Sequence, residues 1–221
     1  MGTIAGVDAR YVIGALAVVL ILAAAFVLSG GLGSGPKTSQ APSGTSRWGV
    51  NCPTSQPAPL ASGETRTVTI TTPKGDIVIK VEGSLSPIAA GNFVALASCG
   101  YYDGVVFHRV VPDFVIQGGD PDGTGSGPGP GYTIQDEPIT TTYHRGTVAM
   151  ARTPSPNSQG SQFFIVLADS AGSQLASASP GYAIFGEVTS GMDVVDAIAA
   201  AAGGVELPTD PIVMTKVTTA P

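Results

Sequence analysis

The chain is poor in the side chains that most often bind metals or act as nucleophiles. Its 221 residues include 2 histidines, 2 cysteines and 1 tryptophan, and only 12% of the residues are charged. Neither His108 nor His144 has further ligand-type residues at metal-binding spacing, and the two cysteines are far apart. No serine is arranged with a histidine in the pattern of a hydrolase nucleophile. We therefore expect no metal ion and no cofactor.

The few charges are unevenly distributed and mostly negative. The formal net charge is -6, and residues 1–62 contain one acid and three bases. Residues 63–221 therefore contain 15 acids and 7 bases, a local balance of -8. Because an acidic domain repels phosphate backbones, we expect no nucleic-acid partner.

The first 62 residues differ in composition from the rest of the chain. Residues 11–28 form a run of 18 residues without a charge, and a helix of that length spans about 27 Å, close to the hydrocarbon core of a bilayer. We predict a short N-terminal tail over 1–10, a transmembrane helix over 11–28 and a flexible Gly/Ser/Pro-rich tether over 29–62. A cleaved secretory signal and a buried core helix are alternative interpretations of the apolar run. Arg10 in the short tail favours a single-pass cell-membrane protein with its domain outside the cytoplasm.

Short alternating segments dominate residues 63–221, which we predict to form one domain. Apolar periodicity and turn residues predict strands over 65–71, 77–81, 105–110, 115–117, 146–151, 162–166, 183–187 and 212–217. Helices are predicted from an N-cap at Ser86 to Gly100, and over 192–202. Strands and helices do not alternate, so we predict a mainly β fold, a closed eight-stranded antiparallel β-barrel capped by two helices.

One run, FHRVVPDFVIQGGD over residues 107–120, carries most of the chemical information. Two later stretches, MAR at 150–152 and GSQFFI at 160–165, repeat its mixture of apolar and amide side chains. Together they predict an apolar pocket with Arg109, Gln117 and Gln162 at its rim. Buried amides need hydrogen-bond partners, which here are either substrate carbonyls or internal groups. Such a site suits a reaction in which neither a proton nor an electron is transferred.

The glycine-rich run over residues 118–131 invites comparison with a phosphate-binding loop. It lacks the Gly-Lys-Ser/Thr ending of such loops, and no helical pattern follows it. We therefore expect no nucleotide and interpret the run as a loop that packs beside the site.

With these motifs in this order, the chain resembles the cyclophilins, barrel-shaped peptidyl-prolyl cis-trans isomerases, over roughly residues 65–217. It looks most like the membrane-tethered bacterial members. The resemblance implies catalytic positions at Arg109, Phe114 and Gln117. It implies substrate-binding positions at Val115, Met150, Ala151, Arg152, Gln162, Phe164, Leu175 and Tyr182.

The chain departs from the family pattern at several of these positions. Val115 stands where the family often has Met, and Arg152 replaces a common Asn whose contribution is largely through the backbone. Residues 174–182 lack the usual Trp and His. These changes are expected to weaken cyclosporin-type ligands rather than to abolish activity.

The activity that the resemblance implies is rotation about Xaa-Pro bonds, which amide resonance slows with a barrier of about 18–20 kcal/mol. A donor that draws the prolyl nitrogen lone pair out of conjugation lowers this barrier, and Arg109 can donate while charged. We expect a monomeric isomerase that binds Pro-containing polypeptides and assists the folding of extracytoplasmic proteins. The alternatives are a non-catalytic module of the same fold that binds Pro-containing segments, and Arg109 as an ordinary salt-bridge partner.

Cys52 and Cys99 are either two unrelated thiols or one disulfide. If the domain faces an oxidising compartment, we expect them to be bridged, which would tie the tether to the end of the first predicted helix.

Overall fold

The computed structural model describes residues 51–127 and 129–221. The predicted tail, the transmembrane helix and residues 29–50 of the predicted tether lie outside this part of the chain. Within it, no helix has the length and apolar character needed to cross a bilayer. The strands are β1 (Thr65–Thr72), β2 (Gly75–Glu82), β3 (Arg109–Val111), β4 (Val115–Gly118), β5 (Thr147–Met150), β6 (Phe163–Val166), β7 (Ile184–Ser190) and β8 (Lys216–Ala220). The helices are α1 (Pro87–Ser98), α2 (Gly172–Ala176) and α3 (Met192–Ala201), with a 3₁₀ turn at Asp169–Ala171.

All eight strands belong to one curled antiparallel sheet with the order β3-β4-β6-β5-β7-β2-β1-β8. The edge strands β3 and β8 do not pair as a ladder. The segments before them meet at a single bridge between Val106 and Val213, flanked by backbone hydrogen bonds such as Phe107 N–H to Ile212 O at 2.9 Å. The mainly β fold agrees with the sequence prediction, but a barrel closed by continuous strand pairing does not form. This is also why β3 is shorter than the predicted strand over 105–110.

The helices differ from the prediction in number and in capping. Besides the two predicted helices, the described chain contains α2, which has 5 residues and is too short for its apolar spacing to be recognised. Ser86 occupies the N-cap position of α1, but its side chain makes no cap hydrogen bond. The Glu137 carboxylate accepts instead from the N–H groups of Ile88 and Ala89, at 2.8 Å each. A distant loop therefore caps α1, and burial raises the pKa of Glu137 despite these two bonds.

Two apolar clusters lie on opposite faces of the sheet. In β6, Phe163 and Ile165 belong to the inner cluster, whereas Phe164 and Val166 belong to the outer one. The division follows from the pleat, which sends successive side chains of a strand to opposite sides. The inner cluster contains fully buried aromatic rings from α1, from β6 and β7, and from the segment that links α1 to β3: Phe93, Tyr102, Phe107, Phe163 and Phe185.

Residues 51–62, the described part of the predicted tether, run across α1. Cys52 and Cys99 form a disulfide with a Cα–Cα distance of 5.1 Å, and Leu60 is buried with its N–H bonded to Pro87 O at 2.9 Å. A Cβ added at Gly91 of α1 would lie 2.2 Å from Ala58 O. A glycine is therefore needed for the segment to approach the helix this closely.

Candidate active site

A shallow slot lies on the outer face of the sheet. Its lining comes from β3, β4 and β6, from the residue that precedes β4, from the residue that follows β5, from α2 and from the segment before β7. The side chains that line it are Arg109, Phe114, Val115, Gln117, Ala151, Phe164, Leu175 and Tyr182. Every one of these was predicted from the sequence motifs or from the family resemblance.

The slot has apolar walls fixed by aromatic and backbone contacts. The rings of Phe164 and Tyr182 meet edge to face with centroids 5.3 Å apart. Tyr182 is held by Tyr143, whose hydroxyl donates to the Tyr182 carbonyl at 2.8 Å and accepts from its N–H at 3.0 Å. Burial raises the pKa of Tyr182, opposed by Arg109 and Arg152, so its hydroxyl stays neutral at physiological pH.

The position of Leu175 depends on a close backbone contact. Leu175 is 2% exposed and comes from α2, whose first residue is Gly172. A Cβ at Gly172 would lie 2.5 Å from Tyr143 O. The absence of a side chain there lets α2 approach the sheet and complete the wall of the slot.

A chain of polar groups crosses the slot from Gly125 to Arg109. The register of the sheet pairs Arg109 with Gln117 and Gln117 with Phe164. Gln162 Nε2 donates to Gly125 O at 3.0 Å, Gln117 Nε2 donates to Gln162 Oε1 at 2.9 Å, and Arg109 Nη1 donates to Gln117 Oε1 at 3.3 Å. Of the two interpretations open from the sequence, the structure gives both amides internal partners. They help to orient the arginine.

Arg109 is the cation of the slot. Its side chain is 15% exposed, and its Nε donates to Glu206 Oε1 at 2.7 Å. Its Nη2 makes no hydrogen bond to any of residues 51–127 and 129–221. Arg109 thus forms a salt bridge, as the plainer interpretation expected, and still offers one nitrogen to a ligand in the slot.

The described part of the glycine-rich run, residues 118–127 and 129–131, forms a loop beside the site, as expected. The Asp120 carboxylate is buried and accepts from several backbone N–H groups of the loop, including those of Gly125 at 2.6 Å and Gly127 at 3.1 Å. A Cβ at Gly127 would lie 1.9 Å from Asp120 Oδ1. The carboxylate therefore fixes the loop, and the loop fixes the carbonyl that orients Gln162.

Met150 is one predicted site residue that the structure does not bring to the slot. It is 0% exposed and belongs to the inner cluster, whereas its neighbours Ala149 and Ala151 belong to the outer one. The pleat decides this, because adjacent residues of a strand cannot both face the slot.

Gln162 and Arg152 are the two other predicted residues that do not line the slot. The Arg152 side chain binds a neighbouring loop. It is 2% exposed and pairs with Asp136 at 2.7 Å, while its Nη2 donates to Ser155 O at 2.7 Å. Burial alone would raise the pKa of Asp136, but hydrogen bonds from Asn157, Gln159 and Arg152 lower it. Arg152 therefore stabilises this loop and contributes no free cation to the slot.

A second, larger cavity of about 270 Å³ adjoins the slot. The two share Gln117 and Ala151, and the second is also lined by Gln162, Arg152 and the glycine loop.

Sequence reasoning missed Glu206 and Tyr143, which hold the site from a distance. Glu206 is separated from Arg109 by 97 positions, and Tyr143 from Tyr182 by 39. No local spacing connects such pairs. The one available signal for Glu206 was its charge. In a chain with so few charged residues, each carboxylate can be examined for a basic partner.

Comparisons with known proteins agree with this geometry. The family model described as cyclophilin type peptidyl-prolyl cis-trans isomerase/CLD matches residues 67–219. The chain is 39% identical over 189 residues to the peptidyl-prolyl cis-trans isomerase A of Mycobacterium tuberculosis, which covers 76% of this chain and 98% of that protein. It is 40% identical over 162 residues to the peptidyl-prolyl cis-trans isomerase cyp18 of Streptomyces antibioticus, covering 67% and 95%.

Solved structures lead to the same family. A cyclophilin type peptidyl-prolyl cis-trans isomerase of Cryptosporidium parvum, crystallised in the presence of the dipeptide Ala-Pro, superposes with a TM-score of 0.61 and 32% identity. The match covers 70% of this chain and 99% of that one. The chain therefore belongs to the cyclophilin family of peptidyl-prolyl cis-trans isomerases.

Proposed function

We propose that this protein isomerises Xaa-Pro bonds of extracytoplasmic polypeptides while tethered to the cell membrane, and so assists their folding. Its relatives at about 40% identity are named peptidyl-prolyl cis-trans isomerases, and the chain is an enzyme of that class. The observation that carries the proposal is the arrangement at Arg109. One nitrogen of a fixed guanidinium is left without a partner among the described residues, at the edge of an apolar slot.

The slot binds the substrate, and the guanidinium lowers the barrier to rotation. The apolar walls hold the proline ring, and burial of a ring of that size contributes on the order of 1–2 kcal/mol. Arg109 Nη2 donates to the prolyl nitrogen when the amide twists and its lone pair leaves conjugation. The bond is strongest in the twisted state, so it lowers the barrier rather than only tightening binding.

The polar chain behind Arg109 supplies the preorganisation. Gln117 holds Nη1, Gln162 holds Gln117, and the glycine loop holds Gln162. Because these groups are fixed before substrate arrives, little reorganisation is needed when the amide twists. The adjoining cavity receives a side chain next to the proline, and the whole site lies within a single chain, which suits a monomer.

Two features support the extracytoplasmic placement. The uncharged run over 11–28 is long enough to anchor the chain. The Cys52–Cys99 disulfide suits an oxidising compartment, where such bonds persist. Together they support a domain held close to the outer face of the membrane.

The activity is tested with the full-length protein in detergent and a short Xaa-Pro peptide in a protease-coupled assay. We expect the cis-to-trans rate constant to rise in proportion to enzyme concentration. Peptide that binds while the rate constant stays at its uncatalysed value would identify the non-catalytic binding module instead.

The placement is tested by fractionating cells that express the full-length chain. We expect the protein to stay in the membrane pellet after an alkaline wash, because an apolar helix is not held by charge. Release as a soluble chain that begins near residue 30 would identify a cleaved signal and overturn the tether.

A further inference from the structure

The loop between α3 and β8 reaches the slot and attaches to β3 at two points. The Val110 N–H donates to the Glu206 carbonyl at 2.9 Å, and Arg109 Nε donates to Glu206 Oε1 at 2.7 Å. The backbone bond fixes where the Glu206 residue lies, and the side-chain bond then reaches the neighbouring arginine. The two adjacent attachments point to a built contact rather than a chance meeting of two surface charges.

The three guanidinium nitrogens of Arg109 differ in their hydrogen bonding. Nε is held by Glu206 at 2.7 Å, Nη1 by Gln117 at the longer distance of 3.3 Å, and Nη2 has no partner among the described residues. A guanidinium is a rigid planar fork, so holding Nε and Nη1 sets the direction of Nη2. The charge-assisted bond to Glu206 is the shorter of the two and restrains the plane more strongly.

We propose that Glu206 is a positioning residue that aims Arg109 Nη2 into the proline slot. The proposal rests on the catalytic role proposed above for Arg109. Glu206 acts through the arginine and does not itself touch the substrate. The bond between the Val110 N–H and the Glu206 carbonyl fixes the position of Glu206 without any contact from the substrate. The guanidinium is therefore oriented before the substrate binds.

The solvent exposure of the Glu206 side chain indicates that its bond to Arg109 contributes little to the stability of the fold. The Glu206 side chain is 55% exposed against 15% for Arg109, and ion pairs with one solvated partner contribute little to stability. The loop that holds Glu206 also packs loosely near its start. Gly203 and Gly204 are both in left-handed conformations there, and a Cβ added at either would have no other atom within 4 Å. Removing the Glu206 carboxylate is therefore expected to leave the fold intact and to change catalysis.

The expected loss follows from the geometry of the donor. A misplacement of about 1 Å at a reacting centre lowers rates by a factor on the order of 10². Because Gln117 still holds Nη1, we expect Glu206→Ala to lower kcat about tenfold rather than by this full factor. KM should change less than about twofold, because the bond made by Arg109 forms in the transition state.

Two matched variants control the measurement. Glu206→Gln keeps an oxygen that accepts from Nε, so it should restore kcat to within about threefold of the wild-type value. Leu207→Ala removes the adjacent side chain of the same loop, which is 63% exposed, and should leave kcat unchanged. Wild-type kcat in Glu206→Ala, or equal losses in the Gln and Ala variants, would overturn the proposal.

Two final measurements complete the test. The Arg109 Nε–H resonance is read by NMR in the single variant Glu206→Ala, and kcat is measured in the double variant Glu206→Ala/Arg109→Ala. In full-length protein, Glu206→Ala should move that resonance and should cause no further loss of kcat in the Arg109→Ala background. A resonance that does not move, or a further loss in that background, refutes the positioning role. The catalytic role of Arg109 fails separately, if Arg109→Ala alone retains wild-type activity, and the proposed function fails if the wild-type protein leaves the isomerisation rate uncatalysed.

Discussion

The inner and outer faces of the sheet are built from the same strands but have different contents. On the inner face, the Phe163 ring lies 5.1 Å from Phe93, 5.6 Å from Tyr102 and 6.2 Å from Phe107. On the outer face, the ring of the next residue, Phe164, meets Tyr182 at 5.3 Å and borders the open slot. The pleat therefore places a core ring and a slot-lining ring at adjacent residues of one strand.

One polar residue from each region illustrates the same contrast. In the inner region, Asn92 is fully buried and satisfied, since its Nδ2 donates to Gly160 O at 2.7 Å and its Oδ1 accepts from the Tyr132 hydroxyl at 2.9 Å. On the outer face, Arg109 leaves Nη2 without a partner among the described residues. Because buried polar groups are normally paired, a half-buried cation with one open donor marks the functional side of the sheet.

The largest expected effect comes from truncating the two adjacent phenylalanines of β6. Phe163→Ala should lower the free energy of unfolding by about 4–5 kcal/mol, because it leaves a cavity among packed rings. Phe164→Ala should lower it by about 2–3 kcal/mol, because its surroundings are open on one side. Urea unfolding followed by fluorescence measures both values.

Activity should show the reverse order in the same pair. Folded Phe164→Ala should have a kcat/KM about tenfold below wild type, since one wall of the slot is lost. If Phe163→Ala is too unstable, Phe163→Leu, which should cost about 1.5 kcal/mol, replaces it and should keep wild-type activity. Similar losses of activity at both positions would break the division between the faces.

The disulfide gives a second, smaller test, because it attaches residues 51–62 to the helix that covers the inner cluster. Cys52 and Cys99 are 47 positions apart, and closing a loop of that length contributes at most about 3–4 kcal/mol in the chain-entropy model. We expect Cys52→Ser to lower Tm while kcat/KM at 25 °C stays at the wild-type value. The double variant Cys52→Ser/Cys99→Ser should match the single one, and an unchanged Tm would show that the bridge does not restrain the unfolded chain.

The smallest expected effect concerns His108, which lies under the glycine loop beside Arg109. Burial lowers the pKa of His108, the nearby Asp120 carboxylate opposes the shift, and Arg109 adds to it. The unfolded chain takes up a proton near pH 6.5, whereas the folded protein does so at lower pH. The stability contribution is therefore complete above about pH 6.5 and is lost as pH falls from there through the folded pKa.

His108→Asn should consequently flatten the fall in unfolding free energy between about pH 7 and pH 5. Urea midpoints measured across this range test the prediction. His144→Asn, at an exposed position, is the matched control and should keep the wild-type slope. A slope unchanged by His108→Asn would show that this histidine is not the source of the pH dependence.

Much of the fold and site could be predicted from the sequence because the signals are local. Alternation within strands predicted the hairpin of β1 and β2, and the motif around Arg109 predicted Phe114 and Gln117. Met150 was assigned to the wrong face, since a motif gives the order of neighbours without saying which way each one points. The single bridge between the segments before the two edge strands, the cap from Glu137 and the contact from Glu206 could not be predicted, because each joins residues far apart in the chain.

The central claim is that Arg109, on the outer face, accelerates rotation about the Xaa-Pro bond without being required for binding. The most direct measurement is exchange NMR on an Xaa-Pro peptide with full-length Arg109→Ala. We predict that the peptide still binds with an affinity within a few-fold of wild type, while catalysed exchange falls by about 10² or more. Exchange near the wild-type rate, or loss of binding with exchange per bound peptide unchanged, would contradict the claim.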